Sequence, residues 1–203
     1  MSAAAATASA LALAPAPEPR RPRVLLVGAA LGSVASGLVV LSMLAAYLQL
    51  RSQRLANGVT ALPEGVVLSL IPGNMGLLTL AMSAVTMAWM VDSLRNADRT
   101  HAYLALGVTL MLGAAFINST VYLYQQLAMP FTVTGTSGLL YAVTGAHLVM
   151  VFVGLVFTAV MGFQALGGQL TGRDAEGMTA AALYWYVTIA VYVAVWYGIY
   201  ITK

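Results

Sequence analysis

His147 is the one side chain in this sequence that combines acid–base or metal-ligand chemistry with a place inside a long apolar run. It lies in the stretch 139–154, LLYAVTGAHLVMVFVG, and the run continues to about 166 without an Asp, Glu, Lys or Arg. An imidazole in such surroundings can ligate haem or copper, or relay a proton. A lone histidine is accounted for more simply as a neutral ring hydrogen-bonded between two helices, and we read it so. No second ligand stands at metal-binding spacing, and the chain has no cysteine, which excludes thiolate metal sites, disulfides and thiol chemistry. A phosphate-binding glycine loop and a catalytic triad are also missing. We therefore assign no catalytic, cofactor-binding or metal-binding residue to this chain.

The remaining polar features fall into four groups. Ile71-Pro72-Gly73-Asn74-Met75-Gly76 interrupts the second apolar run. Pro72 lacks a backbone donor and the two glycines loosen the turn, which predicts a kink. A helix broken at membrane depth can hold a transported ion. A small transporter or channel using the break at 72–76 is thus the alternative function, with a kink packed against a neighbour as the plainer reading. Asn118, Ser119 and Thr120 could line a path for it, or bond across helices at ~0.6–2 kcal/mol per contact. His101 stands beside Asp92, Arg95, Asp98 and Arg99 and is read as solvated. Tyr192, Trp196 and Tyr200 recur at i, i+4 and i+8 and form one helix face, read as packing or interface anchoring.

These residues need elements to hold them, and the composition says which. Of 203 residues 61% are apolar and 7% are charged, where an ordinary globular chain has about a quarter charged. The apolar runs are continuous, not alternating, which excludes an outer-membrane barrel. The fold class is an all-α integral membrane protein, a bundle of five transmembrane helices. The spans are placed at about 24–50, 66–91, 101–127, 139–166 and 178–201, each able to cross a core of ~30 Å. Before them, residues 1–23 form an Ala/Pro-rich tail read as disordered, because Pro15, Pro17, Pro19 and Pro22 forbid a regular helix. A cleaved signal is the alternative, although Arg20, Arg21 and Arg23 follow the short apolar stretch instead of preceding it.

Gly28, Gly32 and Ser36 make a stripe of small residues on the first span, which predicts a close helix partner there. Gly154, Thr158 and Gly162 make a second stripe on the fourth. Tyr184, Trp185 and Tyr186 at one end of the last span, with Trp196, Tyr197 and Tyr200 at the other, suit paired interfacial aromatic belts. The eleven methionines are scattered and suit gap filling between helices. Arg20, Arg21, Arg23, Arg95, Arg99 and Arg173 fall on one side, and Arg51, Arg54 and Lys203 on the other. That asymmetry puts the N-terminus in the cytoplasm and the C-terminus outside. No span contains Asp, Glu, Lys or Arg, the groups on which ion-coupled transport and proton relays usually depend. The net charge of +3 is small and scattered, so no nucleic-acid partner is expected. Membrane lipids are.

The last two spans carry most of a family likeness. Leu140-Tyr141-Ala142-Val143-Thr144-Gly145-Ala146-His147 resembles the FYxxTGFHGxHV segment of cytochrome c oxidase subunit III. Tyr184-Trp185-Tyr186-Val187 resembles that family's YWHFVD segment, and Gly198-Ile199-Tyr200-Ile201 its IYF-type terminus. Ala45, Tyr47 and Arg51 fit an AxYxxxR-like helix end. The likeness covers 24–203 in layout and is detailed in motif only from 139 onward. Five spans match the shorter bacterial form of the family. The second histidine of the first motif falls on Met150, and the histidine and aspartate of YWHFVD fall on Tyr186 and Ile189. The family's membrane glutamate falls near Ser36, and a second acidic position near Val121.

The resemblance thus implies a non-catalytic subunit III of a haem-copper terminal oxidase in a bacterial cell membrane, divergent and scaffold-like. Its partners would be subunits I and II, which carry haem and copper, reduce O2 and pump protons, and a larger respiratory supercomplex is a further partner to consider. An assembly factor or membrane adaptor is a third reading.

Overall fold

A computed structural model describes residues 23–60, 62–63, 66, 68–127, 134–168 and 176–202. Within them five α-helices follow one another: α1 Val24–Ala56, α2 Leu70–Arg95, α3 Arg99–Leu127, α4 Gly135–Leu166 and α5 Glu176–Trp196. A π-helical turn, Tyr197–Ile201, continues α5. All five are long and apolar enough to cross a membrane. The tail to residue 22, most of the uncharged loop before α4, and Arg173 and Asp174 lie outside the described residues.

Helix boundaries follow local chemistry. α1 runs six residues past its expected end, into the stretch 51–64 read as a polar loop, because Arg51, Gln53, Arg54 and Leu55 are good helix formers. It stops where Asn57 is followed by Gly58 in the left-handed region, φ +71°. α2 begins at Leu70, later than expected, with the Ser69 hydroxyl accepting from the Ile71 N–H. Pro72 is consequently the third helical residue, where a backbone N–H has no intrahelical acceptor to lose. The segment 72–76 is helical, since α2 runs unbroken from Leu70 to Arg95. α4 starts at Gly135 behind a capping box in which Thr134 and Ser137 satisfy each other's backbone N–H.

α5 is the hub and packs against α1, α2 and α4, while α3 closes the ring between α2 and α4. One core cluster, including Val40, Leu44, Val143 and Val191, joins α1, α4 and α5. A second, including Leu80, Met87, Leu106, Val151 and Trp185, joins α2, α3, α4 and α5. The glycine stripe of α4 works inside this bundle: a methyl on Gly154 would stand 2.9 Å from the Trp185 ring, and one on Gly162 2.7 Å from Leu106.

The stripe on α1 does not. Gly28 and Gly32 are exposed, and no described residue comes within 4 Å of a methyl built on either. α1 instead buries the neighbouring line Ala29, Ser33, Gly37, Val40, Leu44, Tyr47 and Arg51. The aromatic belts also need correction. Tyr184 and Trp185 are core residues, with Trp185 wholly buried roughly 13 Å inside its helix end. Its indole N–H finds a partner in the Ser83 hydroxyl of α2, 3.0 Å away, which is why so polar a ring can sit there.

Candidate functional site

The polar residues named from sequence converge where the N-terminal turns of α2 meet α3, α4 and α5. His147 projects from α4 and is only 2% exposed. Its Nε2 lies 3.1 Å from the carbonyl oxygen of Thr188 on α5. A carbonyl only accepts, so Nε2 carries the proton and Nδ1 of the neutral ring is left as an acceptor. Phe116 meets the imidazole edge-on at 5.6 Å, and the Tyr192 ring lies 5.1 Å from it. Phe116 and Tyr192 are themselves edge-to-face at 4.9 Å. These three rings fix one another.

The face Tyr192, Trp196, Tyr200 of α5 docks on the segment 72–76 of α2. Tyr192 Oη donates to the Gly73 carbonyl at 3.0 Å, and Trp196 Nε1 donates to Asn74 Oδ1 at 2.9 Å. The Tyr200 ring lies flat on Gly73, where an added methyl would stand 2.8 Å from Cδ1 and Cε1. The glycines that suggested a hinge are a landing for aromatic rings. Ser119 reaches the same place from α3, its hydroxyl donating to the Pro72 carbonyl at 3.4 Å. Asn118 is exposed on the outside of the bundle, so the proposed polar cluster splits. Between these helices lies a cavity of about 10 Å³ lined by Pro72, Ser119, Thr120, Thr144, His147 and Tyr200, among others.

Further polar groups tie the helices together. Tyr124 Oη donates to Thr144 Oγ1 at 2.8 Å across α3 and α4, and Thr86 and Thr109 share a hydrogen bond of 2.8 Å across α2 and α3. Two anchors were not visible in the sequence. Arg51, at the expected end of the first span, is only 8% exposed and donates to the hydroxyl and the carbonyl of Thr202, capping the end of α5. Glu176 accepts from the Leu26 N–H at 3.3 Å and so joins the amino ends of α5 and α1. The pattern Tyr47-x-x-x-Arg51, one helix turn, was the available signal for Arg51.

At the α2–α3 turn, Asp98 takes the His101 backbone N–H on Oδ1 and the His101 ring on Oδ2, at 3.1 and 2.6 Å. The backbone bond first, then the ring bond, holds the Asp98 carboxyl below the usual carboxylate range. His101 is exposed as read, with Trp89 against it at 5.8 Å. Among the described residues no three His, Cys, Asp or Glu side chains gather to hold a metal.

The architecture is that of a multi-pass membrane bundle in which several buried polar groups bond between helices. The chain belongs to the cytochrome c oxidase subunit III family, whose profile matches residues 24–203. A probable cytochrome c oxidase subunit 3 of Rickettsia conorii is 29% identical over 126 residues, 61% of this chain and 44% of that protein. Cytochrome c oxidase subunit 3 of Bos mutus grunniens is 33% identical over 123 residues, 60% of this chain and 46% of that protein. The subunit of Strongylocentrotus purpuratus is 28% identical over the same length. The matched part thus spans less than half of each relative.

The likeness read from two short motifs holds, and the structure shows their physical relation. The segment ending in His147 and the segment beginning at Tyr184 face each other across α4 and α5, through His147 to Thr188 and Gly154 to Trp185.

Proposed function

We propose that this chain is the non-catalytic subunit III of a haem-copper terminal oxidase in a bacterial plasma membrane. Residues 24–203 form one transmembrane domain with its N-terminus in the cytoplasm and its C-terminus outside. It packs laterally against subunit I, alongside subunit II. Those partners hold the haem and copper, reduce O2 and move protons, while this chain contributes shape and stability and binds none of these groups. Family membership supports the assignment, and one observation of this chain carries the scaffold role. The small-residue stripe of α1, Gly28 and Gly32, is uncovered by any described residue, although small stripes in membranes exist to let another helix approach.

The chain has no cysteine, so Gly32→Cys introduces its only thiol. A short bifunctional cross-linker at that position should join the chain to a haem-bearing larger subunit in native membranes. The same change at Met111, 74% exposed on the outer side of α3, serves as comparison and should give less adduct. Failure of the α1 thiol to capture any larger subunit would remove this face as the interface. The transporter alternative loses its main support, because the helix break on which it rested is an unbroken first turn.

A further inference from the structure

Two buried polar atoms at the junction of α2, α3, α4 and α5 lack a protein partner among the described residues. One is Nδ1 of His147, whose ring bonds only through Nε2. The other is the hydroxyl of Tyr200, a side chain only 3% exposed. Both residues line the same cavity, which is also lined by Ser119 and Thr120. Neither atom is sealed off: the one fully enclosed side-chain polar atom without a partner among the described residues is Thr158 Oγ1. The cavity's volume of about 10 Å³ matches one water, which needs roughly that much room and 2–4 polar partners.

We infer that this cavity is an internal water site, in which a single water donates to Nδ1 of His147 and bonds the Tyr200 hydroxyl and a hydroxyl of Ser119 or Thr120. The chemistry is specific on both sides. Thr188 fixes the proton on Nε2, so Nδ1 can only accept, and a water is the donor of the right size. Tyr200 can donate or accept, as can Ser119 and Thr120, whose hydroxyls also bond the Pro72 and Phe116 carbonyls. The water joins α3, α4 and α5 in a cavity whose apolar wall includes Leu123 and Val195. It gives His147 a second fixed partner and turns a pairwise contact between α4 and α5 into a node of three helices. This inference does not depend on the oxidase assignment.

The chain has two histidines, and His147→Gln identifies which ring signal belongs to His147. Full-length chain labelled with 15N-histidine, in whatever assembly it purifies with, is placed in lipid for solid-state NMR. The expected result is an Nδ1 resonance shifted as a hydrogen-bonded acceptor, with magnetisation arriving from water protons within milliseconds. Ser119→Val puts a methyl-bearing side chain at the cavity wall and should abolish that transfer while leaving the Nε2 signal in place. A free-acceptor Nδ1 resonance without water transfer overturns the inference. So does a bonded resonance without water transfer that is lost in Tyr200→Phe, since the tyrosine would then bond the ring directly. Should Ser119→Val not accumulate, the wild-type spectra alone decide.

Discussion

Gly76 and Tyr192 offer the sharpest check on the idea that the segment 72–76 is a landing for rings. A methyl on Gly76 would stand 2.5 Å from Tyr192 Oη, 3.0 Å from Phe116 Cε2 and 3.2 Å from Tyr192 Cζ. The ring cannot retreat, because Phe116 and His147 flank it at 4.9 and 5.1 Å and its hydroxyl is tied to the Gly73 carbonyl. Gly76→Ala should cost ~1–3 kcal/mol from overpacking, plus ~0.6 kcal/mol if the Tyr192 bond breaks. Tyr192→Phe alone should cost ~0.6–1.7 kcal/mol, the range for one interhelical hydrogen bond in a membrane. Combined, the two changes should cost less than their sum by at least ~1 kcal/mol, because removing the oxygen removes the closest collision. The remaining contacts at 3.0 and 3.2 Å need shifts of only a few tenths of an ångström. Reversible unfolding in mixed micelles, followed by tryptophan fluorescence, measures all four corners of the cycle. Additivity within ~0.3–0.5 kcal/mol, or a Gly76→Ala protein as stable as wild type, would refute the reasoning.

Arg51→Gln should destabilise the bundle by ~1.5–3 kcal/mol, since it removes charged hydrogen bonds to the end of α5. Hydrogen exchange should then rise at residues 198–202 before it rises elsewhere. Trp185→Phe loses the bond to Ser83 and leaves a void beside Gly154, at a cost of ~1.5–2.5 kcal/mol. Trp185→Phe leaves Ser83 satisfied through the Leu80 carbonyl, whereas Ser83→Ala orphans the buried Trp185 N–H and should cost ~1–3 kcal/mol, and unfolding of both variants checks the two costs.

Asp98 sets an acid dependence. Its folded carboxyl titrates below the unfolded one, so its contribution is complete above about pH 4 and is lost as pH falls through the folded value. Thermal melts of Asp98→Asn should decline less than wild type on acidification, and parallel curves would contradict the assignment.

The number and order of the helices were legible because continuous apolar runs of bilayer length have few other uses. Packing was less so. The two small-residue stripes have the same spacing, yet the one on α4 meets Trp185 and Leu106 inside the bundle while the one on α1 faces outward, since a stripe does not reveal which neighbour it meets. Pro72 misled because its effect depends on its distance from the helix start, and the Ser69 cap that sets that start is one hydroxyl in a polar stretch. Trp185 was assigned to an interface by type, while its burial depends on Ser83, 102 residues away. Arg51 was placed at a helix end, but its role as an anchor was hidden because its partner Thr202 lies 151 residues on. At His147 the hydrogen-bonded neutral ring was legible from the absence of other ligands. The cavity beside it was not, because it arises from four helices meeting.

Copurification tests whether this chain belongs to a terminal oxidase. The tagged chain is isolated from native membranes in mild detergent and a reduced-minus-oxidised spectrum of the product is recorded. Haem bands in stoichiometric company with larger subunits are expected. A stable, haem-free product without partners would contradict that membership.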